Sequence, residues 1–161
     1  MKHPKCFDTD KSTSERMAKV KLKKGDAEQM LAKELWKRGY RYWLNTKKLP
    51  GSPDIAIKKY NVAIFVDGEF WHGYDWENKK KRIHRNKEYW VEKIEENIAR
   101  DNRVDKELRM MGWIPIRFWS KEVIRDCSGC IRDIEEIVLE TKIDSNNQSE
   151  ESSELSIGAS T

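Results

Sequence analysis

The chain reads as an α/β protein: a mixed four-stranded sheet flanked by helices in the order α-β-β-β-α-β-α. Three observations predict it. Two short apolar runs, 54–57 and 62–66, are separated by the tight connection Lys58-Lys59-Tyr60-Asn61, which makes a hairpin. A third run, Trp113–Trp119, is joined to them by one long helical pattern, so it should lie parallel to 62–66 through a crossover. At 161 residues the chain suits one domain with a real core.

Taken in order, residues 1–16 are polar without a sustained period and predict a flexible arm. Ala27, Met30, Leu31, Leu35 and Trp36 recur at helical intervals between Asp26 and Arg38, and Lys37-Arg38-Gly39 supplies a cationic last turn and a glycine stop. Tyr40–Leu44 reads as a strand by its aromatic content. Pro50-Gly51-Ser52-Pro53 is turn chemistry that delivers Asp54 to the next strand. Gly68 to Asn86 reads as a long irregular loop, a length that favours function over mere connection.

Lys87–Met111 predicts a long helix whose inward stripe is Trp90, Ile94, Asn97 or Ile98, Asp101, Val104 or Asp105, and Leu108. Pro115 suits an edge strand or a strand start. Ser120 reads as the N-cap of a last helix running to about Glu140, with Ile124, Ile131, Ile134 and Val138 on one face. The Ser-, Asn- and Glu-rich remainder, 141–161, predicts a disordered acidic tail behind a single domain of 17–140.

Net charge is +4, and the tail carries −3 of it, with one lysine against four carboxylates, so residues 1–140 carry +7. A basic body suits a polyanionic partner. No apolar stretch approaches the roughly 20 residues that span a bilayer, and no secretory leader is visible, so the expectation is a cytoplasmic protein that does not engage a membrane. Cys6, Cys127 and Cys130 have no second Cys or His pair to complete a zinc site and read as free thiols.

Carboxylates gathered at strand ends hold hard divalent cations, and Asp54 and Asp67 both stand where apolar runs begin or end. Asp54 is the natural bridging ligand. Asp67-Gly68 also fits an ordinary turn, and Glu28 in the first helix is either directed toward the sheet or an exposed first-turn residue. His72 places an imidazole beside Phe70 and Trp71, rings that form either a DNA wedge or a core cluster. Lys79, Lys80, Lys81 and Arg82 open a cationic run suited to phosphate. Asn97 and Asp101 on an inward stripe mark either a satisfied polar network or a site.

Six blocks in order now resemble a known family: Ser14–Val20, Asp26-Ala27-Glu28, Leu49–Asp54, Ile64–Gly73, Tyr89–Asp101 and Leu108–Trp113. They are similar to the very short patch repair (Vsr) DNA mismatch endonucleases of the restriction-endonuclease-like PD-(D/E)xK superfamily. The resemblance implies that Asp54 bridges two magnesium ions, that the main-chain carbonyl of Val66 ligates one, that His72 acts as base or water activator, and that Glu28 supports metal-bound water. It implies that Met17, Val20, Phe70, Trp71 and Trp90 lie against bases near a T:G mismatch, with Asn97 and Asp101 at the periphery.

Two departures follow from the same comparison. The founding member has histidine where this chain has Asp67, which makes Asp67 a ligand or polar site residue rather than a base; Val66 replaces a threonine, which leaves a carbonyl ligand available. The founding type also holds a structural zinc, whose positions here are Glu69, Tyr74, Trp76 and about Lys121, so zinc is expected to be absent. The implied protein is a monomeric, magnesium-dependent nuclease on nucleoid DNA that nicks one strand beside a T:G mismatch, in cooperation with mismatch-repair proteins. The rivals are a restriction-type endonuclease acting on undamaged DNA and a DNA-binding protein with a decayed site.

Overall fold

The structure, a computed structural model, describes residues 25–157. Helix α1 occupies residues 25–37 and ends where Gly39 takes φ +90°, with the Tyr40 N–H donating to the Leu35 carbonyl at 3.0 Å. Strands β1 (Trp43–Leu44), β2 (Ile55–Ile57), β3 (Val62–Asp67) and β4 (Ile114–Trp119) form one sheet in that spatial order. β1–β2 and β2–β3 pair antiparallel, whereas β3–β4 is parallel. The mixed sheet, the hairpin and the parallel crossover are as the sequence predicts. Pro115 lies on the edge strand, where its missing N–H costs no ladder bond on the outer side.

The apolar alternation of the strands feeds two cores. Ile55, Ile57, Val62, Ile64, Val66, Ile116 and Phe118 face Leu31 and Leu35 of α1 and Ile131, Ile134 and Val138 of the last helix. Ala56, Ala63 and Phe65 face the other way, onto Val104 and Leu108 of helix α3 (Lys87–Met110). The sheet is therefore sandwiched between helices, as an α/β sheet with two apolar faces requires.

Five local expectations are corrected. The stretch Gly68–Asn86 is not all loop: Trp76–Arg82 forms helix α2, its run of Lys and Glu being good helix formers, with Asn78 Nδ2 donating to Asp75 at its start. β1 shrinks to two residues because Tyr40 and Tyr42 leave the ladder to pack on the first core, Tyr42 donating its hydroxyl to the Ala32 carbonyl at 2.7 Å.

Ser120 is the first helical residue rather than the cap, and its hydroxyl donates to Glu69. The final helix is split into α4 (Ser120–Arg125) and α5 (Cys127–Ile157) because the Asp126 carboxylate accepts the Gly129 N–H and starts a new helix. α5 also runs past Glu140 through Ile157, since no Gly or Pro interrupts residues 130–157. Cys127 and Cys130 are free thiols, and burial pushes the Cys130 thiol up to about 12.

Candidate active site

Period-two alternation decides which carboxylates meet. Val66 points into the first core, so Phe65 and Asp67 point toward α3; by the same parity in β2, Ala56 and Asp54 share that face. On β4, Ile116 and Phe118 are core, which sends Arg117 to the α3 side opposite Phe65. Asp54, Asp67 and Arg117 consequently line one cavity of about 380 Å³ with His72, Arg100, Asp101 and the turn at Gly51-Ser52.

Asp54 stands one residue before β2, and its Oδ2 accepts the Val66 N–H at 2.7 Å. An extended residue directs its N–H and C=O to the same edge of the strand, so the Val66 carbonyl opens toward Asp54 as well. Continuing the β2–β3 register sets Pro53 opposite Val66, and proline has no N–H with which to claim that carbonyl. Gly51 makes this approach possible: it takes φ +73°, and a Cβ there would stand 2.5 Å from Cγ1 of Val104.

His72 comes from the loop after β3, whose turn is closed by its own N–H donating to the Gly68 carbonyl at 3.2 Å. Its Nδ1 lies 2.6 Å from Asp101 Oδ2 on α3 and 3.6 Å from Asp67 Oδ1. When the ring is neutral, Asp101 holds the proton on Nδ1 and leaves Nε2 as the basic nitrogen. Burial opposes ionisation of Asp101, but the hydrogen bond and charge of His72, with Arg117 and Arg100, outweigh it and hold its carboxyl below the usual range.

Arg117 closes the cluster. Its Nη1 donates to Asp67 Oδ2 at 2.9 Å, Nε and Nη2 reach Asp105 Oδ1 at 2.9 and 2.7 Å, and the guanidinium lies 4.3 Å over the Phe65 ring. Burial works against its charge, yet Asp105 and Asp67 prevail and push its pKa further up. One ligand atom each from Asp67, His72 and Asp101 lies within 4.8 Å of the other two, a carboxylate and imidazole grouping of the kind that could hold a metal ion.

The expected site residues thus divide. Asp54, Asp67, His72 and Asp101 converge, and the Val66 backbone borders them. Asp101, placed at the periphery by resemblance, is in direct contact with His72. Glu28, partly exposed on α1, is not among the residues lining this cavity; α1 packs on the opposite face of the sheet. Phe70, Trp71 and Trp90 form a half-buried ring cluster with centroids 5.1 to 5.7 Å apart, outside both sheet cores, and Asn97 Nδ2 donates to the Trp71 carbonyl at 3.0 Å.

Of the cationic run, Lys80 is paired with Glu95 at 2.6 Å and Lys79 lies over Tyr74, whereas Lys81 and Arg82 are exposed. Met17 and Val20 lie outside the described residues. Sequence reasoning gave no role to Arg117 and placed Asp105 only as an alternative on the inward stripe of α3; the available signal for Arg117 was a lone arginine in the apolar strand Ile-Pro-Ile-Arg-Phe-Trp.

Where the resemblance places zinc ligands, Glu69 is buried, accepts the Lys121 N–H at 2.7 Å and the Ser120 hydroxyl at 3.2 Å, and so ties the His72 loop to the start of α4. Tyr74 meets the Trp119 ring edge-on at 5.1 Å in the same place.

The mixed four-stranded sheet flanked by helices has the restriction-endonuclease-like α/β fold, and its acidic strand ends converge on one cavity under a long helix. The family described as DNA mismatch endonuclease Vsr matches residues 6–78. The chain is 42% identical over 134 residues to Type II nicking enzyme V.NmeDIP of Neisseria meningitidis serogroup C, covering 83% of this chain and 84% of that one. It is 41% identical to Type II nicking enzyme V.HpaIIP of Haemophilus parainfluenzae, over 81% of this chain and 96% of the relative. Against DNA mismatch endonuclease Vsr of Escherichia coli (strain K12) the figures are 33% identity, 68% and 70%. The chain belongs to the Vsr family of DNA endonucleases and is an endodeoxyribonuclease.

Proposed function

We propose that this endonuclease is magnesium-dependent and nicks one strand of duplex DNA beside a T:G mismatch, the lesion left when 5-methylcytosine deaminates. The observation that carries the reading is Asp54 held against the end of β3, sharing one cavity with Asp67 and the His72–Asp101 pair. Asp54 and the Val66 carbonyl would hold the ions, two in number, with Asp67 flanking them. Magnesium would supply charge neutralisation at the scissile phosphate and a more acidic bound water.

The protein's own groups do the rest. His72 Nε2 accepts the proton of the attacking water while Asp101 fixes the ring and stabilises the cation that forms. Glu28 supports the water network from α1. Phe70, Trp71 and Trp90, with Met17 and Val20, wedge against bases, an unstacking that costs a few kcal/mol per step. Lys79, Lys80, Lys81 and Arg82 neutralise phosphates. We place the enzyme on nucleoid DNA in the cytoplasm, acting as a monomer with mismatch-repair proteins; among the described residues no helix is long and apolar enough to cross a membrane.

The test is nicking of a T:G duplex against a matched control, with magnesium and with chelator. Asp54→Ala should lower nicking by at least about a hundredfold while duplex affinity stays within a few-fold, because a lost metal ligand strikes the chemical step. Equal loss of binding, or undiminished cleavage, contradicts the assignment. A second reading, nicking at an undamaged site, draws support from the relatives named Type II nicking enzymes. Equal cleavage of the matched control would favour it.

A further inference from the structure

Arg117 sits where a cation is costly unless carboxylates surround it. Its neighbours Ile116 and Phe118 are buried in the first core, the Phe65 ring lies beneath the guanidinium, and its side chain is 22% exposed. It is engaged by Asp67 at 2.9 Å and Asp105 at 2.7 Å, and stands 3.9 Å from Asp101 Oδ1. Conversely, three carboxylates gathered this closely repel one another unless a positive charge stands among them. Removing one partner from such a cluster leaves an uncompensated buried charge.

We propose that Arg117 is a resident counter-cation of the catalytic site: it claims Asp67 and Asp105, so that divalent-ion binding falls to the Asp54 side and Asp67 serves as a hydrogen-bond acceptor rather than a metal ligand. Arg117 is thereby a positioning residue, acting through the carboxylates it holds. The inference rests on the metal-dependent reading of the same site. It carries a signed consequence. Deleting the guanidinium leaves Asp67, Asp101 and Asp105 uncompensated and raises affinity for a divalent ion. Deleting the Asp105 charge lets Arg117 neutralise the remaining carboxylates more fully and lowers it.

Calorimetric titration of the full chain with calcium, a hard cation probe, tests this. Arg117→Gln should bind calcium about tenfold more tightly than wild type, Asp105→Asn should bind it several-fold more weakly, and Arg117→Lys should stay within about threefold. Affinities of R117Q and D105N both within twofold of wild type, or shifted in the same direction, overturn the inference. If R117Q does not fold, the sign of the D105N shift decides: weaker binding supports the proposal, unchanged or tighter binding overturns it. Calcium binding that survives Asp54→Ala unchanged overturns the metal reading beneath it, and no heat from wild type or any variant overturns both.

Discussion

Three aspartates lining one cavity, with Asp105 beside them, illustrate how a single side-chain chemistry is assigned different work by its neighbours. Asp54 accepts a main-chain N–H and lines the cavity; Asp101 orients an imidazole; Asp67 and Asp105 share a guanidinium. The His72–Asp101 contact lends itself to a direct test. Asp101→Asn preserves shape but allows the ring to take the other tautomer, so nicking should fall by about a hundredfold while the duplex still binds, measured by single-turnover cleavage and filter binding. Identical single-turnover rates would separate Asp101 from catalysis. Asp54 and His72 were readable as candidates from residue type and position alone. The contact between His72 and Asp101 was not, because it spans 29 positions and depends on how the loop after β3 folds back on α3.

At the level of elements, α3 shows why a stripe of mixed polarity is informative. Its buried apolar residues, Ile94 and Leu108, lie toward the two ends of the contact, and Asn97, Asp101 and Asp105 occupy the middle, where the sheet presents Asp67 and Arg117 instead of a core. The turn before β2 leans on the same helix. Gly51→Ala forces a side chain onto Val104 in a left-handed conformation; about 2 kcal/mol of stability should be lost in a urea titration, with nicking reduced because the turn carries Asp54. Unchanged stability would show that the turn moves freely. The helix stripe was legible from its 3.6-residue period, but α2 was not, since a lysine-rich surface helix shows no apolar face to read.

Across the whole molecule, titration should set two limits on stability. Asp101 has a folded pKa below its ordinary 3.8, so its contribution is complete above that value and is lost as the pH falls through the folded pKa. Cys130 behaves in the opposite sense. Its folded pKa of about 12 exceeds the ordinary 9.0, so the contribution is complete below pH 9 and disappears as the pH rises toward 12. Cys127, Tyr40 and Tyr42 shift in the same direction, each chiefly through burial. Melting temperature should therefore decline on the alkaline side, and Cys130→Ala should flatten that decline; an unaltered alkaline slope would contradict the burial argument.

The chain order of elements, the parity that sends Asp54 and Asp67 to one face, and the inward stripe of α3 follow from periods of 2 and 3.6 residues, local rules that any stretch of the chain carries within itself. Arg117 belongs to a different order of information. Its partnership with Asp67 spans 50 positions and exists only because the parallel pairing of β3 with β4 sets Phe65 beside it and brings α3 across both strands. Tertiary structure likewise turned Glu69 into a tie between the His72 loop and α4. Register and helix docking are properties of the assembled sheet, and no stretch of sequence contains them alone.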